Sequence, residues 1–337
     1  MHTERRPEST GTLWIRPRFF SSVLGIAWLL AAAGCSREAP VSASPLAWAY
    51  VTAAPAPEPV VAPGTYRIPD SKRSFTADEL NGDDAVDWIP DDHPVAPPVI
   101  WHYRPHGPIP CAACHYFNGK GFLHMPDLAG LPRSYIVQQV LEFRSGRRKS
   151  YHKGRVGTDR MIGVATRLTD AELAQAADYF SHLPRRPWFR VVETDTVPAT
   201  KPDYYGWFDL VKNGGTEPIK GRIIELPEDW DRTWIEDPHS GVVAYVPPGS
   251  VSRGEALVRM AGNSAVACAT CHGPDLRGMG ETPSIAGRSP AYVARMLWDI
   301  KSGARSGPAV ALMQPVVAQL SGSDITDLAA YLVSLKP

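Results

Sequence analysis

Two copies of one short cysteine motif constrain this chain more than any other feature of its 337 residues. Residues 111–115 read Cys-Ala-Ala-Cys-His, and residues 268–272 read Cys-Ala-Thr-Cys-His. The shared pattern, C-x-x-C-H, is typical of covalent c-type haem attachment. In such a site both cysteine sulfurs form thioethers with the haem vinyl groups, and the adjacent histidine coordinates the iron. The sequence therefore predicts two covalent haems, with attachment through Cys111, Cys114, Cys268 and Cys271 and iron ligation by His115 and His272.

A zinc site is the main alternative, because paired cysteines and histidines are also common zinc ligands. The two motifs, however, lie 157 residues apart, and a histidine follows each cysteine pair directly. The whole chain has five cysteines, and the one outside the motifs is Cys35. No cysteine is left over for a disulfide, so haem attachment accounts for the cysteine content better than zinc does.

The first 35 residues have the pattern of an export signal. Four arginines between positions 5 and 18 precede an apolar run, residues 19–33, that is shorter than the roughly 20 residues of a membrane span. The run ends in Ala32-Ala33-Gly34-Cys35, which resembles a bacterial lipoprotein box in which alanine replaces the usual leucine. We expect cleavage before Cys35 and lipidation of that cysteine. Plain cleavage and an uncleaved anchor are the alternatives.

Residues 36–63 are rich in alanine, proline and valine, a composition typical of a semi-extended linker. We expect a tether that joins a lipidated Cys35 to the folded part of the chain. The predicted location is therefore the periplasm, with attachment to a membrane through lipid.

The surroundings of the two motifs repeat, which predicts one domain design used twice. At an offset of 157 residues, Pro126 matches Pro283. After a short gap the offset becomes 152, and Met161 then matches Met313. We expect a first haem domain at 64–190 and a second at 251–337.

Helical patterns recur within each copy. An apolar pattern over residues 135–145 ends at a glycine, as expected for a helix with a glycine C-cap. Thr169-x-x-Glu172 predicts a capping box before the last helix of the first copy. Ser321 and Asp324 take the matching places in the second copy and predict a weaker cap. Prolines before the first motif predict that its leading helix is short or displaced.

Residues 191–250 separate the two haem domains and contain short strand-like runs, including residues 241–246. We expect a small strand-containing connector whose core is supplied by Trp207, Trp230 and Trp234. After the connector, Ser252-x-x-Glu255 predicts the start of a helix that leads to the second motif.

The net charge of zero conceals blocks of opposite sign. Residues 64–110 carry four basic and eight acidic residues, whereas residues 111–190 carry thirteen basic and six acidic ones. The basic block has a cluster (Arg144, Arg147, Arg148, Lys149, Lys153) that predicts docking to an acidic partner; the alternative is that the blocks neutralise each other within the protein. This charge balance gives no support to a nucleic-acid partner.

Taken together, these features resemble the class I c-type cytochromes, specifically the tandem di-haem kind. The shared pattern is C-x-x-C-H, a proline eleven residues after the histidine, Ala-Gly, a helix that begins at tyrosine and ends in Ser-Gly, a methionine and a last helix with tyrosine. It covers about 111–190 and 251–337. The resemblance implies a mainly α fold of two class I cytochrome c domains joined by the connector.

The resemblance also implies the remaining iron ligands. Met161 and Met313 occupy the places where the family has its second axial ligand. The carbonyls of Pro126 and Pro283 would accept the ring N–H of the motif histidines and so fix the orientation of the imidazoles. At the first haem, His124, Met125 and His152 lie close enough in sequence to compete with Met161.

Electron transfer is the function that these features predict, with one redox protein as donor and another as acceptor. The chain would act as a free carrier or as the cytochrome subunit of a membrane respiratory complex or a dehydrogenase, since a methionine available to each iron closes both irons to substrate. A di-haem peroxidase is the alternative, because such enzymes also carry two C-x-x-C-H motifs. A peroxidase needs one iron with an open or displaceable sixth site, and the near-equal copies favour a carrier.

Overall fold

The structure, a computed structural model, describes residues 45–53, 60–123, 125–259 and 268–337. These residues all belong to one compact unit, Ala43–Pro337. The predicted export signal, Cys35 and His124 lie outside the described residues. Within the described part of the chain, no helix is both long enough and apolar enough to cross a membrane.

Helices dominate both copies of the repeat, which confirms the mainly α prediction. The helices are α1 (Ala77–Leu80), α2 (Pro98–Trp101), α3 (Ala112–His115), α4 (Arg133–Arg144), α5 (Val156–Arg167), α6 (Asp170–Ser181), α7 (Trp230–Trp234), α8 (Ser250–Arg259), α9 (Cys268–His272), α10 (Pro290–Lys301), α11 (Pro308–Ala311), α12 (Gln314–Ala318) and α13 (Gly322–Ser334). Single 3₁₀ turns lie at Ala47–Ala49 and Pro90–Asp92.

The strands are short and lie before the first motif and between the two haem domains. They are β1 (Thr65–Tyr66), β2 (Phe75–Thr76), β3 (Phe189–Glu193), β4 (Thr196–Pro198), β5 (Thr200–Pro202), β6 (Phe208–Leu210), β7 (Thr216–Pro218), β8 (Ile224–Pro227) and β9 (Val242–Val246). In the largest sheet, β9 pairs in parallel with β3 and antiparallel with β8. The pairs β1–β2, β4–β7 and β5–β6 are antiparallel. The predicted strand-containing connector is therefore observed.

Both predicted capping boxes are complete. The Thr169 hydroxyl accepts the backbone N–H of Glu172 at 3.2 Å, and the Glu172 carboxylate accepts the N–H of Thr169 at 2.9 Å. In the second copy, Ser321 and Asp324 make the same two bonds at 3.1 and 2.8 Å. The shorter aspartate thus reaches both groups, and the expectation of a weaker cap is not supported by the geometry.

The helix before each motif differs between the two copies. Before the first motif, α2 has four residues, in agreement with the prolines there, whereas α8 has ten. Helix α8 begins at Ser250, two residues before the predicted Ser252. Its first turn is capped from the connector, because the Glu193 carboxylate accepts the N–H groups of Gly249 and Val251 at 3.1 and 3.0 Å. A distant residue therefore replaced the local cap that the sequence suggested.

Helices α8 and α13 cross at Gly254. A Cβ added at this glycine would overlap the carbonyl oxygen of Asp327 and lie 2.7 Å from the Cβ of Tyr331. Close to this crossing, the guanidinium of Arg253 forms two hydrogen bonds to the Asp327 carboxylate, at 2.8 and 2.9 Å. The first and last helices of the second copy thus approach closely because residue 254 is glycine and has no side chain.

Gly254→Ala should destabilise the second haem domain by about 1–3 kcal/mol or more, because the overlap is with backbone and the helices must separate. Gly163→Ala in α5 is the matched control: its added Cβ would lie 3.2 Å from the flexible end of Arg167, and alanine favours helix by up to about 1 kcal/mol. Denaturant unfolding of both variants measures the difference. Equal stability of the two variants would contradict the crossing described above.

Part of the predicted tether is instead a folded strap, residues 45–53. Leu46, Trp48, Ala49 and Tyr50 are buried in the core of the second haem domain. The Tyr50 hydroxyl donates to the Asp299 carboxylate at 2.6 Å, and Arg295 donates to the carbonyl of Ala49 at 3.0 Å. The expectation of a tether over 36–63 is therefore wrong for 45–53. Burial of Leu46, Trp48 and Tyr50 stabilises the docked conformation of the strap. The prediction failed because it used the average composition of residues 36–63, which does not reflect the effect of three individual side chains.

The connector packs against both haem domains. Trp207 is buried, as predicted, while Trp230 and Trp234 are only partly buried. From β8, the buried Glu225 carboxylate accepts the hydroxyl of Ser289 and the N–H of Ala291, at 3.0 and 2.6 Å. It thereby caps α10, so the connector helps to fix the helix that faces the first haem domain.

Candidate haem centres

The first motif forms a single helical turn that buries its histidine. Cys111 precedes α3, Cys114 and His115 lie within it, and His115 is 6% exposed. The His115 Nδ1 lies 3.0 Å from the carbonyl oxygen of Pro126. Since a carbonyl can only accept, Nδ1 carries the proton and Nε2 keeps its lone pair. Burial lowers the pKa of His115 to about 4, so the ring is neutral and suited to bind a metal.

The second motif repeats this arrangement. His272 ends α9 and is 8% exposed, and its Nδ1 lies 2.8 Å from the carbonyl oxygen of Pro283. Burial lowers the pKa of His272 as well. Both proline carbonyls thus lie where the family resemblance placed them.

Two glycines that the sequence analysis missed make this geometry possible. Gly121 and Gly278, again 157 residues apart, have φ values of 83° and 94°. A Cβ at Gly121 would lie 2.9 Å from the Pro126 oxygen, and one at Gly278 would lie 2.8 Å from the Thr282 oxygen. Glycine is needed because the chain turns back onto the motif in a left-handed conformation. Their separation of 157 residues, the same as that of the two motifs, could have identified them in the sequence.

A cavity opens in front of the first histidine. Its apolar wall includes Met161, Val164 and Phe180 together with both cysteines and His115. Met125 also lines the cavity, so the structure keeps this predicted competitor near the site. His152 is exposed, with its Nδ1 3.1 Å from the carbonyl of Lys153, and does not line the cavity. The first copy therefore offers two thioethers beside one histidine.

Met313 lies in a different local setting from Met161. It is half-buried between α11 and α12, where it packs against Ile300, Val310 and Val317. Met161 instead lies inside the continuous helix α5. Met313 is the N-cap of α12, which begins at Gln314, and Pro315 in its first turn accounts for the break.

The other end of the first cavity is polar and reaches helix α10 of the second haem domain. Arg148 and Arg155 line it and are 6% and 9% exposed. The Nε of each, and one terminal nitrogen of Arg155, have no hydrogen-bond partner among the described residues. Burial lowers the pKa of Arg155 to about 9.

Buried, unsatisfied guanidinium groups are costly unless an acceptor is present. A haem has an apolar ring with two carboxylates on one edge, and these would satisfy the arginines while the ring occupies the apolar part. The donor set of this cavity therefore fits a haem.

Matched residues join the two haem domains beside this polar end. Arg148 and Arg305, which share the 157-residue offset, form an antiparallel backbone bridge. The side-chain oxygen of Gln139 accepts from Arg148 at 2.9 Å and from Arg305 at 2.7 Å. Arg148 also donates to the Tyr292 hydroxyl at 3.3 Å. The two copies of the repeat thus meet in an approximately two-fold interface, and Arg148 and Arg305 are buried within it.

This interface removes part of the predicted basic docking cluster from the surface. Of its predicted docking cluster, Arg148 is buried between the domains, and Arg144 forms an ion pair with Asp170 at 2.7 Å. Arg144 also donates to the carbonyls of Ala165 and Leu168 at the end of α5. Only Arg147, Lys149 and Lys153 remain exposed. Two of the five cluster residues therefore make contacts within the protein, and three keep their charge on the surface.

The described residues form no shared zinc site. Within residues 45–53, 60–123, 125–259 and 268–337, no three side chains among His, Cys, Asp and Glu come together in a way that could hold a metal ion. Each cysteine pair instead has its own histidine and its own proline carbonyl.

Two buried histidines, each next to a cysteine pair and held by a carbonyl, define a protein with two c-type haem attachment sites. Comparison with known proteins agrees. The family model described as cytochrome c matches residues 110–184 and 251–336. Cytochrome c-554(548) of Halomonas halodenitrificans is 38% identical over 68 residues, which are 20% of this chain and 82% of that protein.

Two longer matches extend over about two thirds of the chain. The thiosulfate dehydrogenase electron acceptor of Thiomonas intermedia is 26% identical over 242 residues, which are 71% of this chain and 84% of that protein. The structure of reduced recombinant cytochrome c4 from Pseudomonas stutzeri aligns with a TM-score of 0.43 and 24% identity, over 67% of this chain and 93% of the other.

The chain belongs to the cytochrome c family, as a di-haem class I member. It carries c-type haem in two cytochrome domains and transfers electrons, which confirms the predictions of family, fold class, cofactor and general function. Redox proteins are the corresponding partners.

Proposed function

We propose that the protein is an electron carrier in which both haems are six-coordinate, with His115 and Met161 on one iron and His272 and Met313 on the other. The observation that most supports histidine ligation of both irons is the pair of Nδ1-to-carbonyl contacts at 3.0 and 2.8 Å, and Met161 lines the first cavity together with His115. The carbonyl contacts direct the free Nε2 of each histidine to the metal and make the imidazole a stronger donor. The four motif cysteines hold the haems covalently, and the haems supply the one-electron couple.

The surrounding residues have three tasks in this proposal. The apolar wall excludes water from the iron, which favours the reduced state and prevents reaction with oxygen species. The buried arginines neutralise the haem carboxylates. The two-fold interface holds the domains in one fixed arrangement, so that little rearrangement accompanies electron transfer.

A redox titration of the purified full-length protein tests this function. We expect two one-electron steps per chain, low-spin spectra in both oxidation states, and no turnover of peroxide. A high-spin iron that reacts quickly with peroxide would instead support the peroxidase alternative.

We further propose that the donor is a dehydrogenase of small inorganic sulfur compounds. Similarity to the thiosulfate dehydrogenase electron acceptor of Thiomonas intermedia supports this class of donor. Purification from membranes with identification of co-purifying proteins would test the assignment. Failure to be reduced by any such dehydrogenase, in a protein that titrates normally, would exclude the donor and leave the carrier function intact.

We also propose export to the periplasm and lipidation at Cys35, supported by the apolar run and the small residues before this cysteine. Since residues 45–53 are docked on the second domain, only 36–44 are left between the lipid and the strap, at most about 30 Å of extended chain. Mass spectrometry should find a mature chain that begins at a lipid-modified Cys35, and Cys35→Ala should release the protein from membranes. Any other mature N-terminus would contradict lipidation.

A further inference from the structure

An acidic groove lies beside the first haem attachment site. It is formed by residues 73–103 together with Phe117, and the carboxylates of Glu79, Asp83, Asp84 and Asp87 line it. Phe117 follows His115 by two residues and stacks on His93 with ring centroids 5.0 Å apart. Gly82 and Asp83 also line the neighbouring cavity that contains Ala113 and Cys114. The groove is therefore next to the residues that attach the first haem.

The groove keeps a net negative charge after its internal contacts are counted. Asp87 contacts Arg73 at 3.5 Å and His93 at 3.2 Å, and Asp84 contacts His102 at 3.0 Å. Arg73 is the only guanidinium or ammonium group that lines the groove among the described residues. Four carboxylates thus face one permanent positive charge.

One of these carboxylates is held in its ionised form by local hydrogen bonds. The backbone N–H and hydroxyl of Thr76 donate to Glu79, which lowers the pKa of that carboxyl. Asp83 also lines the groove and is exposed. The negative field therefore persists at neutral pH.

Exposed apolar side chains lie within this acidic rim. Val95 is 97% exposed and Trp101 is 38% exposed, and both line the groove. An apolar centre inside a charged rim is typical of protein–protein interfaces, whereas it is costly on a surface that meets only water. The segment that builds most of the groove also lies before residue 110, outside the stretches that match the cytochrome c model.

We propose that the acidic groove is the docking surface for a one-electron redox protein that presents a basic patch with an apolar centre. The inference rests on the proposed electron-transfer function and assigns its exchange site to the first haem. One electron passes between the iron of the first haem and the redox centre of the partner, so that one is oxidised as the other is reduced. Charge complementarity selects a basic partner, opposite in sign to the one that the basic block predicted.

Stopped-flow kinetics of the full-length, haem-loaded protein test the proposal. The probe is a strongly basic monohaem cytochrome c, and the reaction is followed at low and high salt. We expect the rate to fall as salt rises, because exposed charges are screened beyond about 10 Å at 0.1 M. Asp83→Lys should lower the rate at low salt about threefold to tenfold, and the difference should vanish at high salt.

Asp195→Lys is the matched control, since Asp195 is also exposed but lies in the connector between β3 and β4. It makes the same change in net charge and should alter the rate less than about twofold. Equal effects of the two substitutions would mean that only net charge matters, and the proposal would fail. Zero-length carbodiimide cross-linking should join lysines of the probe to Glu79, Asp83 or Asp84 rather than to the connector.

Two further reagents separate the possible failures. Ferricyanide, a small anion, should oxidise wild type and Asp83→Lys at similar rates at high salt, where the charges are screened. Absence of any oxidation would refute the electron-transfer function itself. Hexaammineruthenium(III), a small cation, tests simple attraction of cations. If the rate with this cation depends on Asp83 while the rate with the basic cytochrome does not, the groove only concentrates small cations. The docking proposal is then overturned.

Discussion

Met313→Ala is expected to open the iron of the second haem to external ligands and to lower its reduction potential. The thioether is a soft, neutral donor that favours reduced iron, so its loss favours the oxidised state. Wild-type protein should bind cyanide and carbon monoxide poorly and show the weak near-red absorption of an Fe(III)–methionine bond, and the variant should bind both ligands readily and lose about half of this band. Absorption spectra and a redox titration measure these changes. Met279→Ala is the control, because Met279 is 55% exposed and close in sequence to the same motif.

The first haem requires a paired test, because Met161 and Met125 both line its cavity. Met161→Ala should open the first iron, and Met125→Ala should leave its spectrum unchanged. The reverse result would assign Met125 as the ligand without affecting the function. If the wild-type protein already has a high-spin iron that reacts quickly with peroxide, the carrier proposal fails.

Glu236→Gln is expected to remove a pH dependence from two properties: the free energy of unfolding and the reduction potential of the first haem. Burial raises the pKa of Glu236 to about 7 from an ordinary value of 4.5. The folded protein therefore holds this proton more tightly than the unfolded chain does. Below about pH 4.5 both states are protonated, and stability is lost as pH rises from about 4.5 through 7. The variant should lack this loss and be more stable than wild type at pH 8, by on the order of 2 kcal/mol.

The same carboxylate should influence the potential of the first haem. Glu236 lines one cavity with Cys114, Asp83 and Arg160, and a second with Tyr116, Asp92 and His93. A negative charge near the iron stabilises the oxidised state, so the potential should fall as pH rises through about 7. Glu236→Gln should flatten this region of the curve and leave the second haem unchanged.

Asp83→Asn is the control for the pH experiment, because Asp83 lines the same cavity but is exposed. It should leave the slope near pH 7 intact. A wild-type potential that does not vary between pH 6 and 8, or a slope that persists in Glu236→Gln, would show that this carboxyl does not titrate with the first haem.

The sequence by itself determined the chemistry and the local structure. Two C-x-x-C-H motifs predict the haem attachment sites, since they place two cysteines for the thioethers and a histidine for the iron within a single helical turn. The internal repeat could be recognised from matching residues at a fixed offset. The capping boxes and the positions of Pro126 and Pro283 relative to the motif histidines are local patterns, because each depends on residues at most eleven positions apart.

Only the tertiary structure decided what each charged or apolar residue does. Arg148 counted as surface charge in the sequence, yet the two-fold interface buries it, together with its repeat partner Arg305, and places it in the wall of a polar cavity. Composition predicted a tether over residues 36–63. Trp48 and Tyr50, however, are buried against the second domain, and this burial stabilises the docked strap.

Long-range capping followed the same logic, since Glu193 and Glu225 cap α8 and α10 from the connector. Acidic residues line the groove, whereas Arg144 and Arg148 of the basic cluster form bonds within the protein. Such outcomes depend on which surfaces meet after folding, and the free energy of burying a charge or a ring depends on neighbours that are distant in the chain.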